Sequence, residues 1–157
     1  MSEPRYRDIA SAAIPSVSPR DGVDIKVIAG EVAGVRGPVT DGAAQPEYAD
    51  VSLAPGAAFE HPTEDERTVF VYAVSGFGTL GTNLEHELRG GQLALCGAGP
   101  SVQAAAGDSG FRFLLVSGRP FGEPVAWGGP IVMNTREELA TAFREYEQGT
   151  FLRHPRG

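Results

Sequence analysis

Few side chains in this 157-residue sequence have the type and spacing that chemistry needs. The three histidines are His61, His86 and His154, and no two share a short ligand spacing. His61 stands close to Glu64, so an imidazole and a carboxylate are available for a makeshift metal site. A stable transition-metal site takes three or more protein ligands in fixed geometry, and two fall short of that. Glu64, Asp65 and Glu66 form an acidic run. Carboxylates do acid–base work only in a cleft, and in a loop such a run reads as solvated charge. The single cysteine, Cys96, lies in an apolar run and reads as a small buried hydrophobe rather than a reactive thiol. No G-x-S-x-G nucleophile motif is present. The GFGTLG stretch from Gly76 to Gly81 follows an apolar run, but no helical pattern follows it. It lacks the helix end that cradles phosphate and reads as a loop between strands.

These residues sit on a chain patterned for strands. Its 21 glycines and 12 prolines are scattered between short apolar runs, which signals many tight turns. After an extended arm over residues 1–22, Val23, Ile25 and Val27 alternate with polar neighbours. Residues 30–38 read as a hairpin or bulge and 48–53 as a strand. Residues 68–75 are apolar on both faces, as in a fully covered central strand. Residues 84–88 and 92–96 read as a hairpin about Arg89, Gly90 and Gly91. A weak strand at 101–106 and a strong one at 111–117 complete an all-β barrel or sandwich pattern. Only the end changes period: Leu139, Ala142, Phe143 and Tyr146 make one apolar helical stripe. Thr135 with Glu138 forms a capping box, and Gly149 is placed to end the helix. The helix is expected over 134–149, covering the barrel of its own chain, with a tail over 150–157.

Two glycine-framed stretches resemble the paired motifs of cupin barrels, G(x)5HxH(x)3–4E(x)6G and G(x)5PxG(x)2H(x)3N. The first frame runs from Gly56 to Gly76, and the second starts at Gly91 and includes Gly99. Counted along them, the His slots hold Pro62 and Glu64, the Glu slot Val69 and the second His slot Val102. Three of these four side chains offer no donor atom. The resemblance implies a single cupin, a jelly-roll barrel over residues 23–133, without the metal of the enzymes. No catalytic or cofactor residue is assigned, and His61 and Glu64 remain the weak metal candidates.

A narrower resemblance covers nearly the whole chain. GEPVAWGGPIVMNTREELATAF (Gly122–Phe143) is similar to the closing segment of pirins, and VIAGEVAGVRGPV (Val27–Val39) to the start of their C-terminal domain. RYRDI, YADVSLAPGAAFEHP, FVYAVSGFGTLG and GGQLALCGAG follow in the family's order. Pirins are two-cupin, iron-binding proteins, and some bacterial members act as quercetin 2,3-dioxygenases. Their ligands, three His and a Glu, lie in the N-terminal cupin. The resemblance implies that this chain is the C-terminal cupin alone, so the fold transfers and the chemistry does not. The expected function is a non-catalytic binding or protein-interaction module without cofactor. The alternative is a quercetin 2,3-dioxygenase-like oxidoreductase needing a metal, or a partner chain that supplies the iron cupin. Surface that the family buries between domains is expected to drive homo-oligomerisation, or docking with a separately encoded N-terminal pirin-like chain. A small organic ligand in the barrel is a further expectation, lined by Phe59, Phe70, Tyr72, Phe111 and Phe113. The simpler reading has these rings filling the core.

Charge and composition exclude other classes. A formal net charge of −7 disfavours nucleic-acid phosphate, and Arg153, His154 and Arg156 read as a solvated basic end. There is no apolar signal region and no run long enough to span a bilayer. One cysteine cannot form an internal disulfide, and the protein is expected in the cytoplasm.

Overall fold

The computed structural model describes residues 6–40 and 42–152. Of the tail expected over 150–157, residues 153–157, with the basic Arg153, His154 and Arg156, lie outside them. Residues up to Pro120 form one compact unit and residues from Phe121 a second.

In the first unit a 3-10 turn, Ser11–Ala13, precedes ten strands. They are β1 (Ser16–Arg20), β2 (Val23–Ala29), β3 (Glu31–Val32), β4 (Val35–Arg36), β5 (Glu47–Leu53), β6 (Ala58–Pro62), β7 (Thr68–Leu80), β8 (His86–Arg89), β9 (Leu93–Leu95) and β10 (Ser101–Gly118). The main sheet runs β1-β2-β5-β10-β7-β8, with β6 added on β10 and β9 on β7. All its pairings are antiparallel. β3 and β4 form the hairpin expected over 30–38. The later part of the extended arm is an edge strand, since β1 pairs with β2.

Two long bent strands join the halves of the barrel. The first half of β10 pairs with β6 and with the end of β7. Its second half pairs with β5 and with the start of β7. In turn β7 carries β9 on its first half and β8 on its second. The expected hairpin of 84–88 with 92–96 is therefore not one: both segments pair with β7 and not with each other. The register slips between Ala106 and Phe111, where Gly76 and Gly110 both have positive φ. That bend explains the GFGTLG stretch, which is the second half of β7 and not a loop. Likewise the weak and strong strands at 101–117 are one strand.

Strand alternation sets the core. Ile25, Val51, Phe113 and Ala73 form one buried cross-strand row, and Val27, Ala49, Leu115 and Val71 the next. Phe59 packs edge-on to Phe113 at 5.6 Å, and Phe111 lies 5.0 Å from Phe113. These three rings fill the interior. Phe70 and Tyr72 take the opposite parity of β7 and face outward, so the five aromatics do not line one pocket. The outer face of β7 is not fully covered: Tyr72 and Val74 are each 38% exposed.

The second unit is a hairpin, β11 (Ala126–Gly128) with β12 (Ile131–Met133), followed by α1 (Arg136–Glu147). The sequence-based barrel range of 23–133 includes this hairpin, whose strands pair only with each other. The capping box forms as expected. The Glu138 amide donates to Thr135 Oγ1 at 3.1 Å, and the Thr135 amide to Glu138 Oε2 at 3.0 Å. The helix ends before Gly149, at φ +71°. Within the unit, its apolar stripe packs on the hairpin through Leu139, Ala142 and Phe143. No helix among the described residues is long and apolar enough to cross a membrane.

A Cβ at Gly76 would sit 2.1 Å from the Gly110 carbonyl oxygen, on a backbone at φ +73°. Gly76→Ala should therefore cost about 2–4 kcal/mol, read as a lower urea midpoint. Gly56→Ala is the control: φ is also positive but the space is open, and a loss of about 1 kcal/mol is expected.

Candidate functional site

One end of the barrel carries polar side chains on inward positions. Glu47 on β5 pairs across to Ser117 on β10, which pairs to Val69 on β7. All three share the parity of the core rows. His61 of β6 faces in beside Phe59 and stands opposite Val102 of β10. Arg67, the residue before β7, closes the end, its side chain only 7% exposed.

These groups share one network. Ser117 Oγ donates to Glu47 Oε2 at 2.6 Å and accepts from Arg67 Nε at 3.0 Å. His61 Nε2 donates to the same Glu47 oxygen at 3.4 Å. An Arg67 amino nitrogen lies 3.7 Å from that oxygen and donates to the Gln45 carbonyl at 2.6 Å. Burial alone would raise the Glu47 pKa. Hydrogen bonds from His61 and Ser117, with the charges of His61 and Arg67, outweigh burial and hold the carboxyl below its ordinary value. A half-buried carboxylate with a guanidinium and two hydrogen-bond donors around it is a satisfied ion pair.

The first slot of the glycine frame, Pro62, does not face the interior. On β6 the inward side chains are Phe59 and His61, while Pro62 faces out. Glu64 lies past the strand end, exposed, and accepts from Arg119 at 2.7 Å. His61 and Glu64 are thus engaged with different partners and make no joint site. Val69 and Val102 do face inward, and neither has a donor atom. A cupin metal ion does not fit these residues: the inward donors are His61 and Glu47, and Arg67 sets a positive charge against that carboxylate. No group of three or more His, Cys, Asp or Glu side chains converges among the described residues. Glu47, Arg67 and Ser117 escape a motif reading because 50 and 70 residues separate the bonded pairs. The signal available for two of them is parity: Glu47 and Ser117 are the polar ends of the inward sets of EYADVSL and FRFLLVS.

The Pirin C-terminal cupin domain, as a family, matches residues 48–152. The chain belongs to the pirin family. A pirin-like protein of Caulobacter vibrioides is 38% identical over 152 residues, covering 96% of this chain and 54% of that protein. Pirin of Homo sapiens is 36% identical over 148 residues, 93% of this chain and 50% of its own. The pirin-family chain described here therefore spans about half the length of these curated relatives. A crystal structure of quercetin 2,3-dioxygenase from Acinetobacter baumannii superposes with a TM-score of 0.84 at 27% identity. It covers 94% of this chain and 50% of that one, and with the topology it makes this pirin domain a single cupin barrel.

The lowered Glu47 pKa gives a signed expectation. A depressed carboxyl contributes stability in full above the unfolded value of about 4.5, and loses it as pH falls through the folded value. Glu47→Gln should therefore lose less stability on acidification below pH ~4.5 than the unaltered chain. Urea midpoints measured across that range test this, and parallel profiles would refute it.

Proposed function

We propose that this pirin domain is a non-catalytic binding module whose partner is an N-terminal-type pirin cupin, on the same polypeptide or another. The observation that carries the reading is the outer face of the main sheet. Leu95, Phe70, Val116 and Tyr48 form one cross-strand row there, and Leu93, Tyr72 and Leu114 the next. Leu95 is 70% and Leu93 57% exposed. The second row ends at Asp50, which takes a two-bond grip from Arg112 at 2.9 and 2.7 Å. Apolar rows bounded by a charged pair have the anatomy of a protein interface, with a dry centre and polar rim. Contiguous apolar patches of this kind mark interaction sites on soluble proteins. The family supplies the occupant, because relatives of twice this length carry as much chain again. The single half-buried thiol suits action in the cytoplasm.

A second reading has one observation behind it, the likeness to a protein titled quercetin 2,3-dioxygenase. On that reading the pirin domain supports flavonol oxidation only when the other cupin supplies the metal. Metal analysis and flavonol turnover, with the chain alone and then mixed with an N-terminal-type half, separate the two. The first reading expects the mixture to add binding without turnover dependent on this domain.

Sedimentation velocity tests the docking face. The chain should associate with an N-terminal-type pirin half, and Leu93→Asp with Leu95→Asp should weaken that association at least about tenfold, since buried unpaired carboxylates are costly. Self-association at the same face would replace the partner by a second copy. A clean monomer that ignores the added half would overturn the proposal.

A further inference from the structure

We infer that a slot between β6, the start of β2 and the β3–β4 hairpin binds a compact hydroxy acid, its hydroxyl on His61 and its carboxylate on Arg20. The slot measures about 310 Å³. That is the small end of the range of about 300–1,000 Å³ usual for small-molecule sites. Its apolar walls are core side chains, Val23, Ile25, Val32 and Phe59. His61 lines it beside Phe59, with a side chain only 9% exposed. No residue of the outer apolar rows lines it, so the inference is independent of the docking face.

Two polar groups of the lining are unanswered within the chain. His61 Nε2 donates to Glu47 at 3.4 Å, and Glu47 does not line the slot. In the neutral ring that bond leaves Nδ1 as the acceptor. Nδ1 has no hydrogen-bond partner among the described residues. It is not sealed away either, since the one buried side-chain polar atom without a partner among those residues is Thr63 Oγ1. A largely buried imidazole thus keeps an open lone pair, and an O–H donor on a ligand would satisfy it. Arg20, exposed, also lines the slot and has no hydrogen bond or ion pair among the described residues. The carboxylates of the wall are already engaged. Glu31 pairs with Arg36 at 3.3 Å, and Glu60 accepts from Gln103 at 3.2 Å. Burial orders the two open groups, with the imidazole at the floor and the guanidinium at the mouth. The ligand therefore carries its hydroxyl at the inner end, a carboxylate at the outer end and an apolar body between them. A guanidinium fork matches a carboxylate in shape as well as charge. With Glu31 and Glu60 in the wall, more than one negative charge on the ligand is disfavoured.

The probes are 4-hydroxybenzoate, benzoate, which lacks the hydroxyl, and phenol, which lacks the carboxylate. Binding is followed by NMR at about pH 8, where an ordinary imidazole is neutral. 4-Hydroxybenzoate should saturably shift the amides of Arg20, Val32 and His61 together and move the nitrogen resonance of His61 Nδ1. Benzoate and phenol should each bind at least about fivefold more weakly, and benzoate should leave Nδ1 unmoved. Arg20→Gln, at an exposed position, should weaken 4-hydroxybenzoate about tenfold and leave phenol unaffected. His61→Phe keeps a ring against Phe59 and should erase the preference for 4-hydroxybenzoate over benzoate. Absence of saturation, equal binding of 4-hydroxybenzoate and benzoate, or unchanged affinity in Arg20→Gln would overturn the inference. The benzoate comparison and Arg20→Gln decide the matter if His61→Phe fails to fold.

Discussion

The crossing of β7 and β10 is the constraint on which the rest depends. Each strand is long enough to serve both halves of the barrel, and each must bend where it passes the other. Gly76 and Gly110 make the bend possible, because the backbones approach too closely there for a side chain. With the bend in place, one half of β10 presents Val102 to the interior and the other half presents Ser117. β7 likewise delivers Val69 at one end and Leu80 at the other. The inward polar cluster and the outer apolar rows are both placed by these two strands.

The Glu47 network shows how polar side chains at the end of a cupin barrel can satisfy one another. A carboxylate taken out of water needs compensation, and a cation with well-aimed donors provides it. Here the cation is Arg67 and the donors are Ser117 and His61. The same groups lock the ends of β5, β6 and β10 together with the loop before β7, so the cluster reads as a clasp. The chemistry of longer relatives follows from neither family membership nor fold.

Much of the architecture was legible from local pattern. The core parity of β2, β5 and β10, the 30–38 hairpin and the capped helix all follow from interactions within a few residues. The misreadings share one cause, which is that the partner of a strand is not written in the strand. β8 and β9 look like a hairpin because an Arg-Gly-Gly turn joins them, yet both are claimed by β7. The GFGTLG run looks like a loop because glycines punctuate it, yet they are where a continuous strand bends. The frame counted from Gly56 lands on Pro62, and one residue exchanges the two faces of a strand. Alternation along β6 turns His61, and not Pro62, inward. Glu47, Ser117 and Arg67 are joined only by register between distant strands, and so no spacing rule reaches them.

Arg67 also bears on how the barrel end matures. A counter-charge carried on the polypeptide's own side chain is present once in every folded molecule. It is neither drawn from a cellular pool nor lost on dilution.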